Sequence, residues 1–119
     1  MSLGSYKELI VWQRSIELTT EIYRLTVLFP KSELFCIVSQ LRRAVIGIPS
    51  NIAEGYSRKN RKEYCRFINI AYASGAEVET QLIIAKNLKM AEEEEFSKSG
   101  ALLQEVLSML KVLERKLNM

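Results

Sequence analysis

Arg58, Lys59, Arg61, Lys62 and Arg66 place five cations within nine residues, against the single anion Glu63. Side chains of this kind at this density suit one chemistry above others, the neutralisation of phosphate. Each Lys or Arg that meets a nucleic-acid backbone displaces condensed counterions, and their release drives binding. Tyr56 and Tyr64 flank the run and offer rings for unpaired bases. Arg58 and Lys62 are four apart, as are Lys62 and Arg66. Like charges at that spacing on a helix repel by about 0.2–0.5 kcal/mol per pair, so the cluster does not serve helix stability. The competing reading is a solvated helix start with Tyr64 turned into a core, since most charge runs are surface. Arg42 and Arg43 lie upstream. They extend the same basic face, or pair with Glu77 or Glu79, or pair across a subunit interface.

Other chemistries lack their residues. The chain has no histidine, and all 14 of its acids are glutamate. The commonest general base and metal ligand is therefore missing. A Ser-His-Asp triad and the Glu-x-x-His pairs of di-iron bundles cannot be assembled. Glu77 and Glu79 are two apart and do not share a helix face. Cys36 and Cys65 form no CxxC and have no partner ligands, so both read as buried or half-buried thiols. The expectation is a protein with no catalytic residues, metal, cofactor or small-molecule substrate. No signal peptide and no apolar run near 18 residues is present, which points to a reduced cytoplasmic protein away from membranes.

The elements that position the cations follow from periodicity. The net charge of +3 is uneven: residues 31–66 hold eight cations and three anions, whereas 67–119 hold six cations and eight anions. Val11, Ser15, Leu18, Ile22, Leu25 and Phe29 alternate four- and three-residue steps, the signature of one helical face over about 7–28. Trp12, Ile16 and Tyr23 form a second stripe beside it. Pro30 stops that helix, and Ser32 suits the N-cap of the next. Leu34, Val38, Leu41, Val45, Ile48 and Ile52 carry the same rhythm over about 33–55, in phase across Pro49. The spacing predicts a helix kinked at the proline, with Ser50, Asn51 and Glu54 serving backbone groups freed there and Gly55 as the left-handed cap. Asn60 and Glu63 make a capping box for a third helix over about 61–87, where Ala71 and Gly75 permit a close neighbour. Phe96, Leu103, Val106, Leu110, Leu113 and Leu117 form a heptad seam over about 92–117. Four such helices with short links predict an all-α, antiparallel up-down-up-down four-helix bundle, one domain over 1–119.

Several blocks carry a resemblance. WQRSIEL at 12–18, FPKSE at 29–33, SQLRRAVIGIPSNIAEGYSR at 39–58 and AYASGAEVETQL at 71–82 resemble the 23S rRNA intervening-sequence protein family. These are small bacterial four-helix bundle proteins encoded within inserts in 23S rRNA genes and sometimes labelled ribosomal proteins. A related fold is that of the accessory variability determinant protein of diversity-generating retroelements, a basic pentameric barrel that binds nucleic acid and reverse transcriptase. The resemblance implies a homopentamer. Added to the basic run, it raises the expectation of a partner that is RNA or a ribonucleoprotein, met through Arg58, Lys59, Arg61, Lys62, Arg66, Arg42 and Arg43. The alternative is a protein-interacting adaptor or structural ring that makes no nucleic-acid contact. The family has no established biochemical activity.

Overall fold

The computed structural model describes residues 4–119; the first three residues of the expected 1–119 unit lie outside it. Four helices form: α1 (Ile10–Val27), α2 (Ser39–Ser57), α3 (Arg61–Asn87) and α4 (Ser97–Leu117). No strand occurs among the described residues. Side-chain pairs fix the antiparallel order. Arg42 reaches Thr26, Gln81 reaches Gln40, Gln104 reaches Glu79, and Arg24 reaches Glu95. Each helix thus packs on its neighbours in sequence and α4 returns to α1, giving an up-down-up-down bundle of 46 × 24 × 22 Å.

The expected stripes meet in one core. All six positions of the α1 stripe are buried, and Val38, Leu41, Val45, Ile48 and Ile52 of the α2 stripe join them. Ile68, Ala71, Gly75, Val78, Leu82 and Ala85 of α3 and Phe96, Leu103, Val106 and Leu110 of α4 complete it. Fully buried Leu and Ile side chains such as Leu18, Ile48, Ile68 and Leu110 each contribute about 1.5–3 kcal/mol. The second stripe of α1 is only partly covered: Trp12 is half-buried beneath Tyr6, while Ile16 and Tyr23 remain exposed.

The helix boundaries depart from the periodic reading where the backbone tightens or widens. A 3-10 turn at Tyr6–Glu8, capped by Ser5, and an extended Leu9 delay α1 to Ile10. The chain then leaves Pro30 through a 3-10 turn (Lys31–Glu33) and a wide π-type turn (Leu34–Val38), so α2 starts at Ser39 rather than near 33. Ser32 caps nothing. Cys36 leaves helical geometry altogether (φ −118°, ψ −110°). The wider turn shifts the phase of the stripe. Val38 reaches the core, while Leu34, Phe35 and Cys36 face outward, so neither Leu34 as a core residue nor Cys36 as a sheltered thiol holds. Cys65 is the buried one. A further 3-10 turn, Glu93–Phe96, precedes α4.

Pro49 sits inside α2 without ending it. Its missing N–H frees the carbonyl of Val45. That oxygen lies 3.4 Å from the Thr19 hydroxyl of α1, which also donates to Ser15 at 2.8 Å. The partner thus comes from the adjacent helix rather than from Ser50, Asn51 or Glu54; the Asn51 amide donates instead to Gly47 O at 2.6 Å.

Gly55 is not a left-handed cap. No described glycine has positive φ, and α2 runs two residues past it. Its reason is space: a Cβ there would stand 2.6 Å from Phe67 Cβ and 3.3 Å from the Tyr64 carbonyl oxygen. Gly47 is nearly as tight, with a Cβ site 3.0 Å from Ser74 Oγ. The anticipated close approach at Gly75 exists too, against Leu107 of α4 at 2.6 Å. Gly100, by contrast, has nothing within 4 Å. Gly55→Ala is expected to lower stability by about 1–3 kcal/mol, because Phe67 Cβ has no freedom to yield. Gly100→Ala is expected to raise it by about 0.5–1 kcal/mol through helix propensity alone. Urea denaturation followed by circular dichroism reads both.

Candidate nucleic-acid interface

The basic run bridges the α2–α3 junction. Arg58 closes α2, Lys59 turns the chain in a left-handed conformation (φ 57°), and Asn60 caps α3 by accepting from the Glu63 amide at 2.9 Å. The break between helices means that Arg58 and Lys62 do not share a helical face, and the repulsion expected for an i,i+4 pair does not apply to them. Only half of the capping box forms. The Glu63 carboxylate turns away to Arg66, at 3.2 and 3.3 Å, instead of reaching back to Asn60.

The five cations divide by what holds them. Arg58 pairs with Glu54 at 3.0 Å, and its guanidinium lies 5.0 Å from the Phe67 ring. Arg66 approaches the same ring at 4.6 Å while holding Glu63. Arg61 donates to the carbonyls of Leu117 and Lys116 at 2.9 and 2.6 Å, satisfying the open end of α4. Lys59 and Lys62 are exposed and make no hydrogen bond or ion pair among the described residues. The Arg66 hydrogen bonds hold the Glu63 carboxyl below the usual carboxylate range, with the charges of Arg58 and Lys62 adding to the effect. Glu63 therefore stays ionised and offsets part of the local positive charge.

Topology adds cations that linear spacing did not mark. Antiparallel packing sets Arg115 and Lys116, at the end of α4, beside the start of α3, as the Arg61 contacts show. The segment before α1 lies against the end of α2, where Tyr6, Tyr56, Ser57 and Lys59 line one notch. Lys7 belongs to the same end. Eight cations therefore gather there against Glu8, Glu54, Glu63 and Glu114. The opposite end holds Glu21, Glu33 and the four glutamates 92–95 against five cations. The chain's positive excess is concentrated at one end of the bundle. The clue within the sequence was the set of helix lengths, which in an antiparallel bundle bring residue 61 to residue 117.

The other two candidates lie elsewhere. Arg43 is about 22 Å along α2 from Arg58 at 1.5 Å per residue. Arg42 donates to Thr26 Oγ1 at 2.9 Å and covers the Tyr23 ring at 4.6 Å, an α1–α2 brace. Neither arginine pairs with Glu77 or Glu79, which receive Gln81 at 3.4 Å and Gln104 at 2.7 Å. Tyr64 is no free stacking platform: it packs against the core, edge-on to Tyr56 with ring centroids 5.8 Å apart. Burial, with a smaller contribution from Tyr56, pushes its phenol up to about 12.

The model of the family described as 23S rRNA-intervening sequence protein matches residues 7–112. The chain belongs to this family. The matched stretch contains Arg42, Arg43 and the whole 58–66 cluster and stops before Arg115 and Lys116. A solved structure from the S23 ribosomal protein family, a protein of unknown function from Bacteroides thetaiotaomicron VPI-5482, aligns with a TM-score of 0.82. Its identity is 21%, over 88% of this chain and 98% of that one, so the likeness shows the shared fold. Among curated proteins none matches. No described helix is long and apolar enough to cross a membrane.

Two outcomes test this geometry. Arg61→Ala removes two donors from the end of α4 and should cost about 1 kcal/mol, with faster amide exchange confined to the last turn of that helix. The raised Tyr64 pKa favours the protonated phenol in the folded state. Its stabilising effect is complete below the ordinary tyrosine pKa of about 10 and is lost as pH rises towards about 12. Tyr64→Phe should therefore flatten the fall in melting temperature across that window.

Proposed function

We propose that the protein is a non-enzymatic, oligomeric four-helix bundle that binds RNA, alone or within a ribonucleoprotein, through its cationic end. The observation that carries this reading is the convergence of eight cations on four glutamates at one end, with Lys59 and Lys62 unpaired. Those two lysines are the primary phosphate contacts. Lys7, Arg115 and Lys116 supply the surrounding field, and Tyr6 and Tyr56 lie beside Lys59 where an unpaired base would sit. A family named for an intervening sequence of 23S rRNA, and a fold neighbour from a ribosomal protein family, support RNA as the polyanion. The assembly is a ring of copies, five being the number the family resemblance implies. A ring turns a weak patch into a multivalent one when one RNA spans several copies. Two unpaired thiols suit a reducing bacterial cytoplasm.

A second reading, a protein adaptor or structural ring without nucleic-acid contact, is favoured by the internal use of Arg58, Arg61 and Arg66. These arginines brace helix ends whether or not RNA is present. The test is therefore better aimed at the free lysines than at the whole cluster. RNA affinity of the native protein and of Lys59→Ala/Lys62→Ala is measured by fluorescence anisotropy over a salt series. The RNA reading expects log affinity to fall linearly with log salt, and the variant's slope to be smaller by about one per lost phosphate contact. Absent binding, or equal affinity and slope for both proteins, selects the adaptor.

A further inference from the structure

Packing of the bundle leaves two exposed apolar faces on different sides of the molecule. One is the groove between α1 and α2, lined by Tyr23, Leu34, Phe35, Arg42, Arg43 and Ile46. Phe35 at its lower end is 89% exposed. The other is the outer stripe of α3, where Ile70, Ala73, Glu77, Ile84 and Leu88 recur at helical spacing and all point away from the core. The groove carries two arginines without an ion-pair partner, Arg42, which is held to Thr26 and Tyr23, and Arg43; the stripe carries Glu77, so the two faces are opposite in sign. Arg43 has no hydrogen bond or ion pair among the described residues. Glu77 receives only the Gln81 amide at 3.4 Å.

The two faces also match in height along the bundle. Gln40 stands opposite Gln81, and Gly47 opposite Ser74. Counting between those pairs brings Arg43 level with Val78, one residue from Glu77. The turn carrying Leu34 and Phe35 is level with the last turns of α3, where Ile84 and Leu88 are exposed. Level matching matters because copies related by rotation about an axis parallel to their long axes have no rise between them. Residues meeting across such an interface stand at the same height.

We infer that the α1–α2 groove of one copy seats the outer stripe of α3 of the next. Phe35 packs against Ile84 and Leu88, and Arg43 pairs with Glu77 across the contact. The contact is heterologous, each copy using one face for each neighbour, so it builds a ring where the rotation closes and not a two-fold dimer. This inference rests on the oligomeric reading above and supplies its interface. It is independent of RNA binding, since neither face includes the cationic end.

Light scattering coupled to size exclusion, over a range of protein concentrations, tests it. Arg43→Glu and Glu77→Arg are both exposed and should keep native helicity by circular dichroism. Each alone should raise the dissociation constant about tenfold or more. The double variant should reassemble. An equimolar mixture of the two single variants should recover part of the assembly, since alternating copies restore opposite charges at every contact but one in a ring of five; a pair formed within one chain would not be rescued by mixing. Phe35→Ser should weaken assembly without lowering monomer stability. An oligomer indifferent to all of these changes overturns the interface and leaves the ring standing. A native protein that stays monomeric at every concentration overturns both.

Discussion

The close approach of α2 to α3 governs much of this molecule. Gly47 and Gly55 let the two backbones come to a separation at which a methyl group would collide with Phe67 at Gly55 and crowd Ser74 at Gly47. That contact sets the register of the longest helix against the proline-bearing one. It fixes how far α2 overshoots before the chain reverses, and so where Lys59 projects. It also fixes which residues of the two helices share a level. A bundle with a looser α2–α3 seam would keep its hydrophobic core, but it would lose the defined geometry of its junction.

The proline is accommodated by the same economy. A freed carbonyl inside a helix normally costs stability unless a donor reaches it. Here Thr19 of α1 is placed to donate, so a defect of α2 becomes a tie between helices. Arg61 does similar work for the end of α4. Buried Glu21 is held by Arg24, with Lys98 nearby, at the opposite end. Several charges that look surplus in a linear reading serve the integrity of the bundle, and the cations left over for a ligand are fewer than their density suggests.

The fold was legible because its cause is periodic. Core positions such as Leu18, Val45, Ile68 and Leu110 recur at helical intervals and are buried together, and Asn60 announces its helix by a cap that forms. What escaped a linear reading arises from distance or from local backbone width. Gly55 reads as a stop signal, but its missing Cβ answers to Phe67, twelve residues on in another helix. Leu34 reads as a core position and Cys36 as a buried or half-buried thiol until a wide turn rotates them outward. At the candidate interface the five clustered cations were visible, yet their division into braced and free groups depends on Glu54, Phe67 and Leu117. Lys7 and Lys116 joined the site only through chain topology.

Segregation of charge to one end of a body 46 Å long has a consequence before any contact is made. The molecule carries an electric dipole moment along its long axis. In the field of an extended polyanion it experiences a torque as well as an attraction. Encounters with such a polyanion from many directions would be converted into approaches led by Lys59 and Lys62, most strongly at low ionic strength. Side-by-side copies with parallel axes would add their moments rather than cancel them, making a particle with one attractive rim and one indifferent rim.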